Sequence, residues 1–326
     1  MIRSSASRAA ILGVLAAVAC ACLLLALSAG ELVIGAGQVW AALLGSEDLA
    51  ASIVRELRLP RALATLACGG LLATAGALMQ VLLRNPLADP YILGVSGGAA
   101  VGALGAMSLG WLSWGVDAAA FAGALGAMLL VFGLARGDGS WTQTRLLLTG
   151  VIVAAGCGAA VTLMLALAPE TRVHSMLFWL MGDASTVGRP WWALLVLVCG
   201  VLAVLPFARD LNVLAQGELQ ARALGVEVQR LRFGLYVLAS LLTATAVSLV
   251  GSVGFVGLVV PHLMRMLLGN DQRLLVPAAA LAGGSLLTLA DTAARTVIAP
   301  QQLPVGVLTA LIGVPLFLFL LSRHRR

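Results

Sequence analysis

RLPRALATLACGGLLATAGALMQVLLRNPLADPYILGVSGGAA, residues 58–100, decides how this chain is read. An apolar run from Ala62 to Leu83 is closed by Arg58 and Arg61 on one side and by Arg84 on the other. About 20 apolar residues cross a bilayer as one helix. Arginines at both ends leave their guanidinium groups at the two interfaces, where they stay hydrated. Two prolines in a polar loop follow, and then a second, glycine-rich apolar run begins. The chain therefore crosses, turns within a few residues and crosses back.

The rest of the chain has the same character. Hydrophobic residues make up 61% and charged residues 10%, where a soluble domain carries roughly 25% charged residues. Mean hydropathy is +1.03. These values describe an all-α polytopic membrane protein. The net charge of +6 is no nucleic-acid signal, because the arginines lie between apolar runs and not in one patch. All 20 basic residues are arginine. A phosphate loop ending in Gly-Lys-Ser/Thr is thereby excluded, so any ATP that drives this chain is hydrolysed on another polypeptide.

The five cysteines lie in apolar runs without a C-x-x-C pair and read as small packing residues. His174, His262 and His324 have no metal-ligand spacing, and no metal or permanently bound cofactor is expected. Ser96 and Ser252 have no histidine partner legible in the sequence, which leaves no nucleophile–base set for an enzyme. Arg3 and Arg8 ahead of Ala9–Ala29 look like the start of a signal peptide. The apolar stretch is longer than the usual ~7–15 residues, and it is read as a retained first helix.

Ten spans are marked: Ala9–Ala29, Ala62–Leu83, Ile92–Leu109, Val116–Ala135, Leu146–Ala168, Trp191–Ala208, Phe233–Ser252, Val256–Leu268, Leu274–Thr296 and Val305–Leu321. They form a single transmembrane domain over residues 1–326. The eighth span is too short for a simple crossing. Gly254 and Gly257 introduce it and Pro261 interrupts it, so a broken helix enclosed by protein is expected. An even count puts both termini on one side. Placing them in the cytoplasm leaves Arg55, Arg58, Arg61, Arg172, Arg189 and Arg295 outside and the other fourteen of the twenty arginines inside, as the positive-inside bias requires. Glycines four apart, such as Gly94, Gly98 and Gly102, predict closely packed helices.

Three segments stand out. Arg209–Arg232 is too polar to span. Leu211, Leu214, Leu219, Ala223 and Leu224 form apolar faces on two short helices, with breaks at Gly217 and Gly225. It reads as an interfacial amphipathic element or as a docking knob for a cytoplasmic subunit. Pro169–Pro190 predicts a short amphipathic outside helix bearing Arg172 and His174, either an aromatic belt or the lip of a path. Asp291 in the ninth span stands four residues before Arg295, which predicts an ion pair on one helix face.

Nine strings carry a resemblance. They are Arg58-Leu-Pro-Arg61, Gly76-Ala-Leu-Met-Gln80, Asn85-Pro-Leu-Ala-Asp-Pro90, Leu93-Gly-Val-Ser-Gly97, Leu214-Ala-Gln-Gly217, Ala223-Leu-Gly225, Gly254-Phe-Val-Gly-Leu258, Pro261-His262 and Leu303-Pro-Val-Gly306. In this order the chain resembles the FecCD family, permease subunits of ABC importers for ferric siderophores, haem and vitamin B12. The resemblance implies a type II importer permease fold of about ten helices in the bacterial inner membrane. It implies a homodimer around a central path, a cytoplasmic ATPase dimer that holds ATP and Mg, and a periplasmic binding protein.

The resemblance also implies roles for individual residues. Arg58, Arg61 and Arg295 match arginines that dock the binding protein. Leu214, Gly217, Glu218, Ala223, Leu224 and Gly225 match the coupling helices that meet the ATPase. Asn85, Leu87, Thr142, Gln143 and Thr144 match loops that close the path on the cytoplasmic side. Arg172 and His174 are candidates for the substrate path. From the breadth of the family the expected cargo is a large iron chelate, a ferric siderophore or haem, with vitamin B12 as the alternative. A rival class is an ion-coupled secondary transporter, which would use an intramembrane acid such as Asp291 and a broken helix such as the eighth span.

Overall fold

The structure, a computed structural model, describes residues 5–135, 143–185, 187 and 190–323. In chain order its helices are α1 (Ser5–Ser28), α2 (Ala36–Leu43), α3 (Leu49–Ser52), α4 (Leu59–Leu82), α5 (Val95–Ser108), α6 (Ser113–Ala135), α7 (Gln143–Leu167) and α8 (Glu170–Met181). Then follow α9 (Trp191–Val204), α10 (Ala208–Gln216), α11 (Glu218–Ala223), α12 (Val228–Val250), α13 (Val256–Leu268), α14 (Gln272–Ala294) and α15 (Val305–Arg323). Among the described residues, seven helices are long and apolar enough to cross a membrane, and α5, α13 and most of α15 form shorter apolar helices. Together they account for the ten spans. The outer surface of the bundle is apolar, with Leu130, Ile152, Leu195 and Phe319 all exposed, as lipid contact demands.

Helix α4 is the axis of the bundle. Every residue from Ala67 to Leu82 is buried, and α9, α12, α13 and α14 pack around it. Glycine makes the tightest of these approaches. A methyl on Gly76 would overlap the carbonyl of Gly257 in α13, and one on Gly69 would overlap the carbonyl of Gly283 in α14. Without an apolar driving force between helices in lipid, such close backbone contact supplies the attraction.

The eighth span is broken as expected. Residues 251–255 are non-helical, with Gly251 at φ +69° and Phe255 at φ +68°. Protein encloses this irregular backbone. The Tyr91 hydroxyl donates to the Val253 carbonyl (2.9 Å) and accepts from its N–H (3.0 Å). Its neighbour Val250 receives the N–H of Asp183 (2.9 Å). Ser252 Oγ lies 3.1 Å from Ser96 Oγ. Polar backbone at membrane depth needs such partners.

Three features differ from the sequence reading. The loop after α1 contains α2, whose first turn is closed by Gln38 accepting the Gly35 N–H (3.1 Å). Asp48 then caps α3 by accepting from Ala51 N (2.7 Å), and a π-helical stretch Ile53–Arg58 feeds straight into α4. Helix α12 begins at Val228, five residues before the expected Phe233, which brings Arg230 and Arg232 into its first turns.

Candidate functional site

Functional side chains gather at the two opposite ends of the bundle. At one end, α4 starts where α14 stops. Arg61 holds Asp291 with Nε–Oδ2 at 2.9 Å and Nη2–Oδ1 at 2.8 Å, while its Nη1 donates to Gln302 (2.8 Å). The expected Asp291–Arg295 pair is secondary. Arg295 Nε stands 3.9 Å from Asp291, and Nη2 donates to the Ala26 carbonyl at the end of α1. The i,i+4 spacing allowed that pair, but the fork of Arg61 presents two parallel donors and wins the carboxylate.

Arg58, expected at the docking surface, is turned inward. Its side chain is buried, and its guanidinium donates to the carbonyls of Leu27 (2.8 Å), Ser28 (3.0 Å) and Leu32. A fork with several donors satisfies the carbonyls left open where α1 ends. Arg58 therefore ties α4 to α1. Arg58, Arg61 and Arg295 nevertheless line one cavity of about 380 Å3 with Glu31 and Gln302. Its net charge is positive and suits an entering carboxylate.

Arg172 and His174 lie on α8, the amphipathic helix predicted from sequence. Arg172 donates to the carbonyls of Met107 (3.0 Å) and Ser108, which terminates α5. His174 is exposed and stacks on Phe178 at 4.6 Å between ring centres. The two make separate contacts, Arg172 with the end of α5 and His174 with Phe178.

At the opposite end, Arg209–Arg232 folds as two short helices, α10 and α11, with Gly217 between them at φ +149° and Gly225 after them at φ +81°. Leu211 and Leu214 are fully buried, so their side chains anchor α10 to the bundle. Leu219 is 85% exposed and Leu224 70%, and Ala223 lies exposed between them. Glu218 holds this knob in place through Arg222 Nη2 (2.7 Å) and Arg232 Nη2 of α12 (2.8 Å). Burial pushes the Glu218 carboxyl up, but the two arginines outweigh it and keep the value below the usual one.

The cytoplasmic-loop candidates lie at the same end. Asn85 Oδ1 accepts the Leu87 N–H (2.9 Å), an Asx turn that leaves Asn85 exposed and Leu87 half-buried. Thr144 is exposed in the first turn of α7, where Gln143 is the first residue. Thr142 lies outside the described residues, as does Arg189.

One polar cluster escaped sequence reading. Asp271, ahead of α14, accepts from Asn212 Nδ2 of α10 (3.0 Å) and from the Arg273 N–H (3.1 Å), and it pairs with Arg8 of α1 (2.8 Å). An Asp before an apolar run is a legible helix cap. Its partners Asn212 and Arg8 come from distant sequence and carry no local signal.

The geometry is that of a bundle with a close-packed core, a basic cavity at one end and an apolar knob at the other. The sequence pattern of the FecCD transport family matches residues 17–323. The chain belongs to the FecCD transport family. It is an ABC importer permease of that family and a multi-pass membrane protein. It is 44% identical over 282 residues to the cobalamin import system permease protein BtuC of Halobacterium salinarum, covering 85% of this chain and 75% of that protein. It is 39% identical over 308 residues to the vitamin B12 import system permease protein BtuC of Escherichia coli O9:H4, covering 93% and 92%. A solved inward-facing structure of an ABC transporter assigned to the metal-chelate type superposes with a TM-score of 0.85 at 31% identity, over 97% of this chain and 99% of that one.

Proposed function

We propose that two copies of this FecCD permease form the membrane path of a vitamin B12 importer in the bacterial inner membrane. The observation that carries the cargo is the relatives aligned along most of the chain, which are named for cobalamin or vitamin B12 import. They favour vitamin B12 over the iron chelate that the breadth of the family put first. Arginine asymmetry supports both termini in the cytoplasm. That orientation puts α10–α11 inside and the basic cavity outside.

In this reading a loaded periplasmic binding protein docks over the mouth of the cavity lined by Arg61 and Arg295, drawn by the cavity's net positive charge. The Arg61 fork is already filled by Asp291 and Gln302, so the cavity would act on the partner's carboxylates through its charge. On the other side, Leu219, Ala223 and Leu224 seat in a groove of an ATPase dimer that holds ATP and Mg. ATP closes that dimer, α10 and α11 follow, and the path opens on alternate sides. Helix α7 has the least buried window of the long spans, and its open face is where a second copy would meet the path on a two-fold axis. Asn85, Leu87 and Thr144 then stand near the cytoplasmic mouth. No step in this cycle asks this chain for covalent chemistry.

The test is uptake into liposomes that contain the permease and its partner ATPase, with binding proteins loaded with cyanocobalamin, haem or a ferric siderophore. ATP-dependent uptake of cyanocobalamin alone is the expected result. Uptake of haem or the siderophore alone would move the cargo to an iron chelate. Uptake driven by an ion gradient without ATP would replace the importer class.

A further inference from the structure

The cluster around Asp271 sits where the coupling segment meets the bundle. Helix α10 packs on α4 and α14 through Leu211 and Leu214. Asn212 lies beside Leu211 and uses both ends of its amide on the start of α14. Its Nδ2 donates to Asp271 Oδ1 (3.0 Å), and its Oδ1 accepts the Gln272 N–H (2.8 Å). The first N–H groups of a helix have no partner inside the helix. In α14 one goes to the coupling segment and another, that of Arg273, to Asp271. Arg8 of α1 neutralises the other carboxylate oxygen (2.8 Å).

Helix α14 joins this cluster to the far end of the molecule. It runs 23 residues from Gln272 to Ala294, about 34 Å at 1.5 Å per residue, and carries Asp291, which Arg61 holds. Pro277 sits within it. A proline removes one link of the helix ladder and favours a bend there. The amide of Asn212 therefore grips the turn of α14 just ahead of a natural bending point.

We propose that Asn212 and Asp271 form the latch through which movement of the coupling segment is passed to α14, and so to the outer end of the bundle. They are positioning residues, and the proposal rests on the importer reading above. A latch predicts that the two residues act as one unit. Without it, α10 would still anchor through Leu211 and Leu214, and Leu219, Ala223 and Leu224 would still meet the ATPase. The ATPase would turn over, but its stroke would reach α14 weakly.

The test uses the full complex in liposomes and measures cyanocobalamin moved per ATP hydrolysed. Asn212→Asp sets a second carboxylate against Asp271 and should lower that ratio about tenfold, the size of effect that residues along a coupling route produce, while the ATPase still co-purifies. Asp271→Asn should lower it as well. Combining Asn212→Asp with Asp271→Asn restores the amide–carboxylate hydrogen bond between the two positions, although the turned amide gives up the Arg273 N–H and the charge facing Arg8, and should bring the ratio back above that of either single variant.

A ratio that stays at the wild-type value in both single variants would overturn the latch. So would losses that add in the combined variant, since independent residues add. A merely structural cap would lower the melting temperature and yield without changing the ratio in the protein that folds, and that result also overturns it. If a single variant fails to accumulate, the combined variant decides by whether the ratio recovers. Failure of the wild-type complex itself to move cyanocobalamin with ATP would mark the importer reading, not the latch, as the point of error.

Discussion

Arg61 and Asp291 lie 230 positions apart in sequence and meet as a two-point ion pair, Nη2–Oδ1 at 2.8 Å and Nε–Oδ2 at 2.9 Å. The pair fastens the start of α4 to the end of α14. Arg61 is 12% exposed and Asp291 3%, so water screens them little. Removing one partner from such a pair leaves an uncompensated charge and costs about 3–5 kcal/mol, whereas an apolar replacement of both is often near neutral. Asp291→Ala should therefore lower the melting temperature of the purified permease well below that of the double variant Arg61→Met with Asp291→Leu. A double variant as unstable as the single would refute this account.

Arg58 and Arg295 should separate in their effects. Arg58 donates to three backbone carbonyls, and leaving buried groups unpaired costs about 1–3 kcal/mol each. Arg58→Ala is expected to fall mainly on stability and yield. Arg295→Ala is expected to weaken binding-protein affinity in a salt-sensitive way. Titration of the binding protein onto each variant at low and high salt checks both, and an Arg58 variant that folds normally but fails only in docking would reverse the assignment.

The knob on α11 offers a cleaner cut. Leu219 is 85% exposed, so Leu219→Asp should leave the permease folded. If its side chain is an anchor in the ATPase groove, the substitution should cost at least about 2 kcal/mol of association, seen as loss of co-purification. Leu214→Asp, in contrast, should prevent folding, because Leu214 is fully buried.

Close helix packing can be probed at one glycine against another. A methyl at Gly76 would overlap the carbonyl of Gly257, whereas a methyl at Gly126 meets nothing within 4 Å. Overpacking costs typically about 1–3 kcal/mol. Gly76→Ala should lower the melting temperature, and Gly126→Ala should leave it unchanged.

The Asp271 latch has a definite pH window. Burial pushes the Asp271 carboxyl up, but hydrogen bonds from Asn212 and the Arg273 N–H, with the charges of Arg8 and Arg273, hold it below its ordinary value. A carboxyl lowered on folding stabilises above its unfolded value of about 3.9, and that stabilisation is lost as pH falls through the folded value. The stability difference between wild type and Asp271→Asn should stay constant from about pH 7 to pH 5 and fade below about pH 4. Fading already near pH 6 would contradict the lowered value.

The ten spans, the breaks at Gly217 and Gly225 and the irregular start of the eighth span were legible in the sequence. Each rests on a local signal: a run of apolar residues, a glycine free to take positive φ, or a run too short to cross. Helices α2 and α3 were missed because short helices outside the apolar runs carry little periodicity. The leucines of Arg209–Arg232 could be seen to form apolar faces on two short helices. Which of them points inward depends on where α4 and α14 stand.

The sequence by itself determined the membrane class, the ten apolar segments and the family, because composition and contiguous motifs are properties of the chain alone. Only the tertiary structure decided who holds whom. It gave Asp291 to Arg61 instead of its helical neighbour Arg295, turned Arg58 inward onto the carbonyls of α1, buried Leu214 and joined Asn212 to Asp271. Each of these is a competition among partners distant in sequence. A buried charge or an open helix end takes the best-aligned donor within reach, and reach is set only when helices pack.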